Sequence, residues 1–272
     1  MPQDSAANVN PKAYPTQGYC IFRDGLDPDT VEHYRASLDA VIAARPPGQR
    51  LEALVEPHVR ASDWQTWLEL CRHPRLTEAV KATVQASELV LLSTHLLVKP
   101  PHDGLAVEWH QDNTYWNSVD GTDVVTVWLA LDDVDLENAC MQVIPRTHQG
   151  FQELEMLSTH GKDLLGVRVE VEDNLERDAV PIELRAGQFS IHDSFVIHGS
   201  GANTSARRRA GCTLRYANAA TVTVDLSKHT KPVYYVSGDG SHLHDGVRDI
   251  RAGKTLPKGP GEHRSRRFES KG

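Results

Sequence analysis

The chain reads as a mainly β protein, a sandwich or barrel braced by N-terminal helices. Three observations carry that reading. Helical periodicity dominates the first third, short strand-like runs bounded by turn residues follow from about residue 88, and no internal repeat interrupts them. The 272 residues and 39% hydrophobic content allow one sizeable core.

The helices come first. In "DPDTVEHYRASLDAVIAA", Val31, Tyr34, Leu38, Val41 and Ile42 recur at helical spacing, with Asp27 or Asp29 as cap and "RPPG" as stop. "SDWQTWLELCRH" predicts a second helix, capped by Ser62 or Asp63. "RLTEAVKATVQA" predicts a third, with Leu76, Val80 and Val84 four apart. The strands begin with "SELVLLSTHLLVK", the turn "PPHDG" and "LAVEWHQDN". In "DVVTVWLALDD", Val125, Val127, Leu129 and Leu131 fall on one face, and Thr126, Trp128 and Ala130 on the other. "ACMQVIP", "AVPIEL", "GQFSIHD", "AGCTLRYANA" and "TVTVDL" complete the set. Residues 153–180 are charged and weakly periodic, which predicts a surface loop with a short helix, and the length of Glu153 to Asp178 fits a lid. We expect one domain over residues 1–250, helical at about 27–87 with a β core at about 88–225, then a flexible basic tail at 251–272.

Composition excludes several functions. The net charge of −8 argues against a nucleic-acid partner, which calls for a basic stripe. The longest apolar run, "LVLLSTHLLV", falls short of a membrane span, and the N-terminus carries no readable signal peptide. Cys20, Cys71, Cys140 and Cys212 are scattered with no C-x-x-C pair, which predicts buried, reduced thiols in a cytoplasmic protein.

The chemistry-bearing stretch is "EWHQDNTYW". On a strand, His110 and Asp112 would share a face. An H-x-D pair alone arises by accident in a chain with 14 histidines. A third ligand is offered by His198, read as the end of a strand before the turn-rich "GSGAN". Two histidines and a carboxylate form the facial triad of non-haem Fe(II) oxygenases, whose open positions suit a catalytic rather than a structural metal. If "RRRAGCTLRY" is a strand, Arg207, Arg209, Thr213 and Arg215 share a face, and an inward guanidinium would bind a carboxylate. Of the other histidines, only His242 and His244 stand at ligand spacing, and these read as surface residues. Asn113, Tyr115 and Trp116, just past the H-x-D pair, are the candidate substrate-binding residues; amide, phenol and indole point to a small polar metabolite with a flat or apolar part.

Three ordered motifs, "WHQD" at 109–112, "VWLALDDVDLENACMQVIPRTH" at 127–148 and "HGSGANTSARRRAGCTLRY" at 198–216, make the chain resemble the phytanoyl-CoA dioxygenase family of Fe(II)/2-oxoglutarate oxygenases. It departs from the family pattern at Arg146 and Thr147, where Gly and Ser are usual, and in "ENAC", where "ENG" is common. The resemblance implies a double-stranded β-helix, or jelly-roll, core. It implies that His110, Asp112 and His198 bind iron and that Arg209 pairs with the distal carboxylate of 2-oxoglutarate. Trp128, Ser200 and His95 match further cosubstrate positions. The implied reaction is hydroxylation of an unactivated carbon, with succinate and CO2 as coproducts and O2 as cosubstrate. Related iron halogenases have Gly or Ala in place of the acidic ligand, so Asp112 implies hydroxylation rather than chlorination. Two rival readings are a non-catalytic jelly-roll protein that holds a metal or ligand, and a nucleic-acid demethylase.

Overall fold

The structure is a computed structural model and describes residues 10–257 apart from Lys162. The expected basic tail beyond residue 257 lies outside the described residues.

Three helices of two turns or more cover one face: α1 Pro28–Ala44, α2 Trp64–Cys71 and α3 Pro74–Val84. Asp27 caps α1 by accepting from the Thr30 amide at 2.9 Å, which satisfies one of the free N–H groups of the first turn. Asp63 occupies the cap position of α2, but its carboxylate accepts from the Ser37 hydroxyl instead, tying α2 to α1. His73 caps α3, and Gln85 ends it in the left-handed region.

The strands used below are β1 Tyr19–Phe22, β2 Leu89–Lys99, β3 Val107–His110, β4 Val124–Ala130, β5 Gln142–Val143 and β6 Val180–Pro181. They continue with β7 Phe189–Asp193, β8 His198–Ser200, β9 Arg209–Asn218, β10 Tyr234–Ser237 and β11 Arg248–Asp249. The large sheet runs β1-β7-β4-β9-β2-β10-β11, with Leu54–Val55 also pairing on β2. The small sheet runs β6-β5-β8-β3. Antiparallel pairing of distant segments in two facing sheets is the jelly-roll arrangement the sequence led us to expect.

The alternation expected for β4 holds. Val125, Val127, Leu129 and Leu131 join the helix-side core with Trp67, Leu76 and Val80, while Thr126 and Trp128 point to the other face. β9 repeats the pattern: Ala210, Cys212, Leu214 and Tyr216 pack under the helices, and Arg209, Thr213 and Arg215 line a cavity between the sheets. In β2 the register slips opposite Arg215 and Tyr216, a bulge that switches parity along the strand. After it, His95, Leu97 and Lys99 stand on the cavity side, and Leu96 and Val98 in the core.

The structure differs from the sequence reading in four places. β3 ends at His110, and Asp112 lies in the turn that follows. His198 begins β8 rather than ending a strand. β9 starts at Arg209, so Arg207 stands outside it, turned toward Asp135 and Glu137. "TVTVDL" contributes only Thr223–Val224, paired with Val119–Asp120 apart from both main sheets. Among the described residues no helix is long and apolar enough to cross a membrane, and all four cysteines are free and buried.

Candidate metal centre and its anion pocket

His110, Asp112 and His198 converge. They come from the end of β3, the next turn and the start of β8, and their ligand atoms lie within 4.8 Å of one another. His110 and His198 are register partners across the small sheet, with ring centroids 4.1 Å apart. His110 Nδ1 lies 2.8 Å from the Glu108 carbonyl and His198 Nδ1 3.0 Å from the Val196 carbonyl. A protonated Nδ1 donating to each carbonyl leaves both Nε2 atoms as acceptors. Burial holds both imidazoles below their usual range, His198 strongly, so they stand neutral at pH 7 and able to bind a metal.

The turn carrying Asp112 is set by Gln111, which is fully buried. Its Nε2 donates to the Phe195 carbonyl at 2.8 Å and the Gln152 carbonyl at 3.1 Å, and its Oε1 accepts from the Leu154 amide. Gln111 thus points away from the site while its two neighbours point in. Asp112 accepts from the Thr126 hydroxyl at 2.5 Å on Oδ2 and from Arg215 at 3.2 Å on Oδ1. Burial alone would raise its pKa. The Arg215 guanidinium outweighs that and holds the carboxyl well below its usual range, hence ionised. His192, which the sequence reading left without a partner, has Nε2 3.6 Å from Asp112 Oδ2 and its ring 4.4 Å from His198.

The loop before His198 is fastened by "IPRTH". The Ile144 amide donates to the Ile197 carbonyl, and the Thr147 hydroxyl accepts from the Ile197 amide, both at 2.8 Å. A Ser would supply the same hydroxyl, which is why Thr147 costs the site nothing. Arg146 at φ 71° and Ala139 at φ 64° adopt the left-handed conformation that Gly takes at least cost.

Arg209 stands deeper in the cavity, 2% exposed, with its guanidinium 4.9 Å from the Trp128 ring. Gly211 makes that packing fit, because a Cβ there would come within 2.4 Å of the indole. Among the described residues, Arg209 Nε and Trp128 Nε1 are buried donors with no hydrogen-bond partner. Burial lowers Arg209 to about 10, which leaves it charged at pH 7. Its register partner across β9 and β2 is Lys99, whose Nζ donates to Ser200 Oγ at 2.8 Å and to the Ser200 and Gly201 carbonyls. Burial, and then the nearby Arg209, lower Lys99 to about 6. A buried guanidinium without a carboxylate is costly, and a bound carboxylate would remove that cost. The residues therefore fit both absent groups: two neutral imidazoles and an ionised carboxylate suit a divalent metal, and the Arg209 end suits a carboxylate.

His95 lines the same cavity, its Nε2 2.8 Å from the Glu52 carbonyl, and burial lowers it to about 4. Ser200 and Trp128 also line it. None of the other three candidates lines the cavity, and two of them stand against residues that do. Tyr115, 41% exposed, meets the His110 ring edge-on at 6.2 Å. Trp116 lies under Arg215, and Asn113 points its amide toward Glu153 at 3.4 Å. Residues 153–180 form a hairpin, Leu157–Ser158 with Val167–Arg168, and a one-turn helix at Asp173–Glu176. Leu164 and Leu165 at the hairpin's tip line the cavity, and the Leu164 amide donates to the Ala106 carbonyl at 3.0 Å. Lys99, Thr126 and His192 were not among the expected site residues; for Lys99 and Thr126 the available signal was a parity shared with His95 and Trp128, whereas no candidate on β7 pointed to His192.

Comparison with known proteins agrees with this geometry. The family model described as phytanoyl-CoA dioxygenase (PhyH) matches residues 14–211. An L-proline trans-4-hydroxylase of Streptomyces griseoviridis is 33% identical over 165 residues, 53% of this chain and 59% of that protein. The solved non-heme monooxygenase ThoJ, in its apo form, superposes with a TM-score of 0.70 at 23% identity, covering 92% of this chain and 88% of ThoJ. The epimerase SnoN, in complex with Fe3+, alpha ketoglutarate and nogalamycin RO, superposes at 0.63 with 22% identity, covering 80% and 85%. The chain spans about half the length of the first curated phytanoyl-CoA dioxygenases it matches, 50% and 51%.

Proposed function

Because the chain belongs to the phytanoyl-CoA dioxygenase family, we propose that it is an Fe(II)- and 2-oxoglutarate-dependent dioxygenase. In this reading it hydroxylates an unactivated carbon of a small polar metabolite, with succinate and CO2 as coproducts, in a cytoplasmic setting. One observation carries the proposal: a three-residue metal cluster and an unpaired buried guanidinium share a single cavity.

Bound iron would supply O2 activation coupled to decarboxylation of 2-oxoglutarate. The chain's own residues supply the rest. His110, Asp112 and His198 would hold the metal on one side and leave the other open. Arg209 would take the distal carboxylate, with Ser200 held beside it by Lys99. Trp128 Nε1, a donor without an acceptor, faces the same end. Leu164 and Leu165 exclude water from the reacting region. Asn113, Tyr115 and Trp116 would meet the substrate. The small-metabolite reading is supported by the likeness to a proline hydroxylase.

The test is a metabolite screen with the purified chain, Fe(II) and 2-oxoglutarate, reading succinate release. Iron-dependent succinate stimulated by a small polar metabolite is the expected result. Absence of iron-dependent turnover with any metabolite would leave a binding protein and overturn the proposal.

A further inference from the structure

We infer that Arg215 receives a carboxylate of the organic substrate, so that the substrate of this site is a small acid. The inference rests on the proposed oxygenase reading and adds the chemical class that reading leaves open.

Arg215 stands six residues beyond Arg209 on the same face of β9, about 20 Å along the strand. The two guanidinium groups therefore serve different ends of the cavity. Arg209 is sealed at the inner end, whereas the Arg215 side chain keeps 16% exposure beside Trp116. A molecule arriving after the cosubstrate would meet Arg215, not Arg209.

The guanidinium is under-used. It donates to Asp112 Oδ1 at 3.2 Å and to Thr213 Oγ1 at 3.1 Å, while a guanidinium carries five N–H donors. The bond to the Asp112 carboxylate is longer than about 2.7–2.9 Å, the range of a good charge-assisted pair. A metal bound to Asp112 would compete for the same carboxylate and loosen that contact further.

Charge points the same way. Among the described residues lining the cavity, Asp112 is the one carboxylate, and it faces two guanidinium groups, Arg209 and Arg215. The carboxylates of bound 2-oxoglutarate would be taken at the metal and at Arg209, which leaves the outer guanidinium to share Asp112 with the metal and open to a further anionic group. The apolar wall of Leu164 and Leu165, with the Trp116 and Tyr115 rings against Arg215 and His110, suits a flat or apolar body behind the acid.

The probe pair is benzoate and benzamide, equal in shape and different in charge. They are titrated by saturation-transfer NMR into the full chain loaded with redox-inert zinc(II) and saturated with 2-oxoglutarate, both occupancies being measured first. Benzoate should bind at least about tenfold more tightly than benzamide, as expected for a hydrogen-bonded charge. That preference should vanish in Arg215→Gln and return in part in Arg215→Lys. Equal binding of acid and amide, no benzoate binding, or an unchanged preference in Arg215→Gln would each overturn the inference. Loss of 2-oxoglutarate saturation in Arg215→Gln would assign Arg215 to the cosubstrate instead and also overturn it. If the native chain takes up neither zinc nor 2-oxoglutarate, the oxygenase reading itself fails and this inference falls with it.

Discussion

His110 and His198 face each other as register partners of one antiparallel strand pair, and each has Nδ1 against the carbonyl two residues earlier. The repeated local geometry fixes both rings without borrowing a side chain. It turns both Nε2 atoms toward the same point, which Asp112 approaches from the turn after β3. The metal centre is thus a property of the backbone pairing between β3 and β8 as much as of the three side chains.

That arrangement gives the first prediction. His198→Ala should weaken divalent-metal binding by at least about a hundredfold, more than loss of an outer hydrogen bond costs. Titration calorimetry with Fe(II) under anaerobic conditions measures it. Native-like affinity in the variant would remove His198 from the ligand set.

Arg209 gives the second. Loss of a hydrogen bond to a charged group costs about 1.5–3 kcal/mol, so Arg209→Ala should raise the KM for 2-oxoglutarate by roughly tenfold to a hundredfold. Burial without an acceptor for Nε motivates the choice. If Arg215→Ala raises that KM and Arg209→Ala does not, the two arginines have exchanged roles.

The third concerns stability. Arg146 is exposed and holds φ 71°, a conformation that costs a side-chain-bearing residue about 1–2 kcal/mol over Gly. Gly gives back part of this through its freer unfolded chain. Arg146→Gly should therefore stabilise the fold by up to about 1 kcal/mol, and Arg146→Val should destabilise it. Urea denaturation of the two variants decides; a Val variant as stable as the Gly variant would refute the strain argument.

Much of this was legible in the sequence where the signal is local. The apolar spacing of α1 and the alternation of β4 follow from periods of 3.6 and 2, and both held residue by residue. The two-residue strands β5, β6 and β11 and the edge strand β1 exist through pairing with distant segments, which no local window contains. The site shows the same divide. His110 and Asp112 were found through strand parity, yet Asp112 sits beyond the strand, swung inward because Gln111 anchors the turn. Lys99, at the end of an apolar run, carried only the parity it shares with His95, which does not single it out. Its role depends on Ser200 arriving 101 residues later.

The last prediction concerns what the carbon receives. Halogenation at a site of this kind needs room on the metal for chloride, room that Gly or Ala in place of the acidic ligand provides. Here that position is held by Asp112, anchored on one oxygen by the Thr126 hydroxyl at 2.5 Å, with Arg215 a longer contact on the other at 3.2 Å. The short Thr126 bond leaves the carboxylate little freedom to swing aside. Arg215 also holds it ionised against the cost of burial, so it presents a full negative charge where a second anion would have to bind. The product formed from whichever metabolite stimulates succinate release should therefore carry oxygen from labelled O2 and no chlorine, even with chloride in large excess. Mass spectrometry of that product reads both isotopes at once. A chlorinated product from the unmutated chain would show that Asp112 does not occupy the metal.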